Sequence, residues 1–341
     1  MVGNFLSATV GTRFVCEELA QQLTENGWTV HTTSHQQNRL VRLADMISTT
    51  WRRRSQYSVA QVDVYSGAAF RWAEITCALL RRLGKPYILT LHGGNLPNFA
   101  KEATERVQKL LNSATAVTTP SNYLLEQMKP YRNDLQLIPN PLDLSAYSFK
   151  LQENPSPKFI WLRSFHSIYN PVLAIQVLAQ VIKDFPDAHL TMVGPDKSDG
   201  SLQQVKNAIE AEGLMSHVTL QGRVEKTDVP KWLQRGDIFL NTTDVDNTPV
   251  SVMEAMACGL CVVSTNVGGL PYLLDDKQDA LLVPPRDVEA MTQAITQILA
   301  TPALARTLSH NAQMKARQFD WQVVMPQWEQ LLHNVATGNQ Q

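Results

Sequence analysis

Cysteine is scarce in this sequence: four residues in 341, namely Cys16, Cys77, Cys258 and Cys261. So few in so long a chain argue against a disulfide-stapled scaffold and fit a reducing compartment. Only Cys258 and Cys261 are closely spaced. No second CxxC and no His pair at metal-ligand spacing accompanies them, and they span a helix end and a strand start, whereas a redox CxxC opens a helix. Core packing is their expected role and redox chemistry the alternative. Charge of one sign is also lacking. Thirty basic and 31 acidic residues leave a net charge of -1, which gives no overall attraction to nucleic acid. There is no apolar run of about 18 residues, so no membrane-spanning helix is expected. The N-terminus lacks a charged region followed by an apolar one, so no signal peptide is expected either. Low-complexity segments, a visible internal repeat and a full GxGxxG fingerprint are absent too.

What is present is apolar substance in alternating blocks. With 44% hydrophobic and 18% charged residues, the chain can bury sizeable cores, and its length suggests two domains. Strands are expected at 29–34, 61–66, 87–91, 116–119 and 135–139, with helices between most of them, notably 70–83 and 101–113. Residues 1–12 read as a strand and a Gly loop ahead of a helix over 13–26. Alternation of this kind implies α/β architecture with parallel, doubly wound sheets whose ligands bind at the carboxyl ends of the strands. Apolar periodicity breaks over 140–157, NPLDLSAYSFKLQENPSP, which reads as an interdomain linker and hinge. Beyond it come strands at 158–162, 189–193, 218–220, 238–241 and 280–283. Helices are expected over 171–185, 229–235 and 288–300. A final helix is capped by Asp320, with Trp321, Val324, Met325, Trp328, Leu331 and Leu332 at three- and four-residue intervals.

The most informative stretch is 246–269, DNTPVSVMEAMACGLCVVSTNVGG. Thr248 is expected as an N-cap with Pro249 at the first helical position, a helix following to Gly259, then a short buried strand and a Gly-Gly turn. The amides of Val250, Ser251 and Val252, with the positive end of the helix dipole behind them, form an anion site suited to a phosphate. Asp246 and Glu254 bracket it. Acids there are suited to accepting hydrogen bonds from sugar hydroxyls.

An acid, seven residues, a Glu, then AMACG and a Val-Val strand resembles the signature of retaining family-4 glycosyltransferases of the GT-B fold. The resemblance implies two Rossmann-like doubly wound domains facing each other across a cleft: 1–150 on the acceptor side, 151–317 binding a nucleotide-sugar, and a helix over 318–341 crossing back to the first. It implies that Glu254 binds the donor ribose, that Asp246, where the family usually has Glu, contacts the donor sugar, and that the amides between them hold the diphosphate. By the same resemblance His92, after the strand YILTL and before two glycines, contacts the sugar near the reacting carbon. Arg163 fits the first of two basic residues that hold the diphosphate. The second, a Lys about five residues on, is missing, with Ile168, Tyr169 and Asn170 in its place and His166 nearby. By that resemblance the backbone of the turn at Gly222 meets the nucleobase, and Arg223 either stacks on it or is surface charge. Gly11 lets the backbone approach the donor phosphates; Arg13 either adds charge there or lies on the surface, and Asn95 is a weaker candidate. The family's first strands are longer than MVGNFL, so a shortened start is expected.

The implied activity is transfer of a sugar from a nucleoside-diphosphate sugar to a hydroxyl of a glycan, lipid-linked or small-molecule acceptor, with retention. No metal or other cofactor is expected. A non-catalytic nucleotide-sugar or glycan binder and a nucleotide-sugar epimerase are the alternatives. The segment 38–54 carries Arg39, Arg42, Arg52, Arg53 and Arg54 against Asp45 alone, with Leu40, Leu43, Ala44 and Ile47 at helical spacing. It reads as a solvated basic helix or as a peripheral contact with an anionic membrane. A cytoplasmic protein, in the second case at the inner face of the membrane, is the expectation.

Overall fold

The computed structural model describes residues 1–6 and 15–338. The chain divides into two compact α/β units, one formed by residues 1–141 and 322–341, the other by 142–321.

The first unit is built on a parallel sheet in the order β1 (Ala60–Val64), β2 (Tyr87–Leu91), β3 (Ala116–Thr119) and β4 (Gln136–Leu137). The first three strands are buried throughout, as expected for parallel strands covered on both faces. Residues 29–34 form no strand. Thr33 makes a single parallel bridge to Val2, which also bridges Val62. The helix expected over 101–113 is two helices, Leu96–Glu102 and Thr104–Leu111. Ala103 between them departs from helical geometry, with φ -129° and ψ 42°. The helix Trp321–Thr337 buries Val324, Met325, Trp328, Leu331 and Leu332. Its Glu329 accepts from Trp28 Nε1 at 3.3 Å, and His333 meets the Trp28 ring edge-on.

The second unit holds a six-stranded parallel sheet, in the order β10 (Ala280–Val283), β9 (Cys261–Thr265), β8 (Ile238–Asn241), β5 (Lys158–Leu162), β6 (His189–Val193), β7 (Val218–Gly222). The chain enters at β5 in the middle and winds outward through β6 and β7. It then returns to the other side of β5 with β8. The direction of winding therefore reverses between β5 and β8, and such a switch point opens a crevice at the carboxyl ends of the strands. The division between units falls after Pro141 rather than at 150. Leu142 already packs in the second unit's core with Leu144 and Tyr147 against it. Leu142 N–H donates to Phe319 O and Lys150 N–H to Cys258 O. The stretch expected as a linker is thus bonded into the second unit: Gln152 is buried, and its amide donates to Ser309 Oγ.

Cys258 ends a helix and Cys261 begins β9, and they belong to different apolar clusters. Burial pushes both thiols up to about 12, which keeps them protonated and unreactive near neutral pH. Among the described residues all four cysteines are free and buried.

Candidate active site

The candidate site of the second unit lies at its switch point. Arg163 follows β5 directly, its amide donating to Val193 O at the end of β6. The loop after β8 carries Thr242 to Asp246. Thr242 Oγ1 donates to Tyr169 O and the Asp244 amide to Ile168 O, so the 167–170 turn is fastened to this loop. That seats the Tyr169 ring against the Arg163 guanidinium, 4.6 Å from its centroid. The guanidinium pairs through Nη2 with Asp246 Oδ2, both side chains being 15% exposed. Arg163 Nε is buried without a partner. At the place where the resemblance implied a second cation, an aromatic face thus stacks on Arg163. His166 is committed locally: its Nδ1 accepts from the Ile168 amide, and its Nε2 lies 3.9 Å from Asp199. Asp244 is held by Arg286.

The helix of the motif spans Val250–Cys258 and ends at Gly259 in the left-handed conformation. Its start corrects the sequence reading. Pro249, in extended geometry, is the N-cap residue, and no side chain caps the helix. Proline fixes its own φ and, having no N–H, leaves the cap position open to it. Thr248 Oγ1 is instead buried without a partner, as is Ser251 Oγ. The Val252 amide, expected to be free, donates to Pro249 O at 3.1 Å. Among the described residues the amides of Val250 and Ser251 find no backbone acceptor. The candidate anion site thus has two open helix-start amides rather than three.

Glu254 lies one turn further in, 5% exposed. Tyr147 OH donates to its Oε1 at 2.7 Å, and Lys226 Nζ stands 3.8 Å from the same oxygen. Gly222, with φ 73°, closes β7, and its carbonyl accepts from the Gly194 amide. Arg223 follows it, exposed. The turn that starts at Gly222 leads to Lys226, and so to Glu254. The two ends of the motif also meet: the Gly269 amide donates to Asp246 O at 2.9 Å, and Gly268 and Gly269 pack directly on the carbonyls of Asp246 and Asn247.

His92 belongs to the first unit. It follows β2, its Nε2 lies 3.0 Å from Asp63 Oδ1, and its ring stacks on Tyr65. Asp63 is buried at the end of β1 and also accepts from Gln61 Nε2 at 2.7 Å. An ionised carboxylate only accepts, so Nε2 is the donor and carries the ring proton. Burial alone pushes the Asp63 carboxyl up. The adjacent His92 and hydrogen bonds from His92, Gln61 and Cys16 outweigh it, and the group lies below the usual carboxylate range. A depressed carboxyl stabilises the fold fully above its unfolded value near 4 and loses that contribution as pH falls through the lower folded value. Asp63→Asn should therefore flatten the acid limb of thermal stability below about pH 4; an unchanged limb in melting curves would place the acid sensitivity elsewhere. Asn95 is exposed at the start of the helix Leu96–Glu102. Gly11 and Arg13 lie outside the described residues.

Three residues of these constellations escaped the sequence reading. Asp63 left a trace there, since Gln61 and Asp63 form a polar stripe in an otherwise apolar strand. Tyr147 and Lys226 left none.

The family model described as glycosyl transferases group 1 matches residues 145–315, half of the chain. The chain belongs to this glycosyltransferase family. The model of Glycosyltransferase Family 4 matches residues 11–146 of the same glycosyltransferase. Over an alignment 366 positions long it is 24% identical to N-acetyl-alpha-D-glucosaminyl L-malate synthase of Bacillus anthracis, covering 95% of this chain and 94% of that protein. It is 31% identical over 160 residues to an exopolysaccharide phosphotransferase of Streptomyces coelicolor, a match that spans 46% of this chain and only 16% of that protein. Among solved structures, Anabaena HepE in complex with UDP superposes with a TM-score of 0.75 at 17% identity, over 92% of this chain and 88% of that one. The fold of this glycosyltransferase is GT-B.

Proposed function

We propose that this glycosyltransferase moves a sugar from a nucleoside-diphosphate sugar to a hydroxyl of a glycan, lipid-linked or small-molecule acceptor, with retention at the anomeric carbon. The observation that carries the reading is a set of buried hydrogen-bond donors without partners: Thr248 Oγ1 and Ser251 Oγ at the helix start, with its open amides, and Arg163 Nε on the side chain paired with Asp246. Buried donors without partners are costly unless a ligand supplies acceptors, and the chemistry of this set suits a diphosphate. Its neighbour Glu254 has the chemistry to accept from ribose hydroxyls. HepE, with the same fold, is described in complex with UDP.

In this reading the leaving group is a diphosphate, and catalysis is chiefly positioning and charge stabilisation. The amides of Val250 and Ser251, with Arg163, stabilise the departing negative charge. Asp246, already held by Arg163, orients the sugar. The phosphate oxygen takes the acceptor proton, so no dedicated protein base is required. Gly222 and Arg223 serve the base.

The test is release of nucleoside diphosphate from a panel of nucleotide-sugars offered with hydroxyl acceptors, and NMR of the product's anomeric centre. An inverted product would overturn retention. Donor binding without release from any pairing would favour a non-catalytic binder, the reading that Tyr169 in the place of a cation supports. Conversion of the sugar without an acceptor would favour an epimerase. Asp246→Asn should lower turnover more than affinity for the free nucleotide; equal losses would mean that Asp246 serves binding alone.

The proposal extends to contact with an anionic membrane. Supporting it, the helix Arg39–Arg52 exposes Leu40, Val41 and Trp51 at 80, 49 and 52%, with Arg39, Arg52 and Arg54 exposed around them. Its buried residues are Met46 and Thr50, and of the four apolar residues at helical spacing Leu40 and Ala44 are exposed. Arg42 and Arg53 are partly committed to the fold, Arg42 to the carbonyls of Gln36 and Gln37 and Arg53 to His31 and Gln56. Among the described residues no helix is long and apolar enough to cross a membrane. Sedimentation with anionic vesicles should be seen at low salt and be released at high salt, and Leu40→Asp should weaken it; absence of binding at low salt would end this part of the proposal.

A further inference from the structure

Glu254 sits 5% exposed in the second turn of the helix Val250–Cys258. A carboxylate so buried is held only where hydrogen bonds and opposite charge replace its water. Tyr147 and Lys226 contribute to this, and neither is near it in sequence. Tyr147 stands 107 residues before Glu254, just after the short 3-10 turn Leu144–Ala146. Its ring packs against the core beneath the motif helix, and its hydroxyl donates to Glu254 Oε1 at 2.7 Å. Lys226, on the 3-10 turn Lys226–Asp228, places Nζ 3.8 Å from the same oxygen, with its side chain half exposed. The phenol is the closer and more directional partner. The ammonium is at the range of a Coulombic contact, on a long and half-solvated stem.

This geometry separates the work of the two partners. A ribose presents a pair of vicinal hydroxyls in fixed relation, and a carboxylate can discriminate for them only if its own plane is fixed. Rotation of a Glu side chain about its last bond is otherwise soft. A hydrogen bond from a rigid ring anchored in the core removes that freedom; a flexible lysine does not. We propose that Tyr147 is a positioning residue for the ribose end of the donor site, and that through Glu254 it sets the preference for ribonucleotides over 2′-deoxyribonucleotides. The proposal rests on the assignment of Glu254 to the ribose.

The experiment measures binding of UDP, ADP and GDP, their 2′-deoxy forms, and inorganic pyrophosphate, by calorimetry on the full chain. It compares wild type, Tyr147→Phe, Lys226→Gln and Glu254→Gln. Tyr147→Phe keeps the ring and removes one oxygen, and its ligand-free melting curve reports whether the unit stays folded. For the nucleotide that binds, Tyr147→Phe should weaken affinity about tenfold, the scale of one hydrogen bond to a charged group. It should shrink the ribo-to-deoxyribo preference towards that of Glu254→Gln and leave pyrophosphate affinity unchanged. Lys226→Gln should weaken the ribo and deoxy forms alike and keep the preference. A wild-type preference that survives in Tyr147→Phe but not in Glu254→Gln would overturn the role of Tyr147. So would an equal loss of pyrophosphate and nucleotide affinity in Tyr147→Phe, which is general damage. If wild type shows no preference and Glu254→Gln changes nothing, the assignment of Glu254 itself falls. Should Tyr147→Phe melt early, Tyr147→His, which keeps a ring and a donor, decides: the preference returns with the donor, or the proposal fails.

Discussion

Glu254→Ala should abolish donor binding. In thermal denaturation with the preferred nucleoside diphosphate at about a hundred times its dissociation constant, wild type should gain roughly 2.7 kcal/mol, and Glu254→Ala should gain nothing. The reason is double. The substitution removes the acceptor proposed for the ribose, and it leaves Tyr147 OH, which donates to Glu254 Oε1 at 2.7 Å, without that partner in a half-buried position. Ordering of this end of the site is lost together with the contact. A shift as large in the variant as in wild type would show that the nucleotide is held without Glu254 and would refute its role. Turnover should fall with binding. Turnover lost with binding intact would move Glu254 from recognition to chemistry.

The second large effect is expected at a residue that carries no chemistry. A methyl group on Gly269 would collide with the carbonyl of Asn247, and one on Gly268 with the carbonyl of Asp246. Backbone oxygens cannot swing aside as a side chain can. Gly269→Ala must therefore displace the 246–247 loop, breaking the Gly269 N–H to Asp246 O bond and moving Asp246 off Arg163. Overpacking against backbone costs about 3 kcal/mol at its upper range, and nucleotide binding should fall with it. Gly213 provides the comparison. Its φ is 68°, but a side chain there meets open space, so Gly213→Ala should cost only about 1 kcal/mol of backbone strain and leave binding alone. Urea unfolding and nucleotide titration of both variants check this. Equal behaviour of the two would mean that the loop has slack and that its contact with the Gly-Gly turn is not what places Asp246.

These predictions draw on two kinds of information. The strands 158–162, 189–193, 238–241 and 280–283 stand where apolar runs between turn residues place them, because a fully buried parallel strand records its environment in its own composition. The strand expected at 29–34 is a single bridge, since pairing depends on what lies alongside and not on the segment alone. The helix start at Val250 was misjudged by one residue for a related reason. Thr248 has the chemistry of a cap, but Pro249 takes the position, and the hydroxyl is left over inside the site.

By itself the sequence determined the α/β class, the family and the helix between Pro249 and Gly259, because each is written in neighbouring residues whose spacing matches a helical turn or a strand. Only the tertiary structure decided that Arg163 pairs with Asp246 and lies on Tyr169, that Tyr147 reaches Glu254, that Lys226 stands beside it, and that Asp63 holds His92. All but the Arg163–Tyr169 contact join segments far apart in the chain. Their strength depends on a few ångströms and on burial, and a single sequence carries no local mark of either.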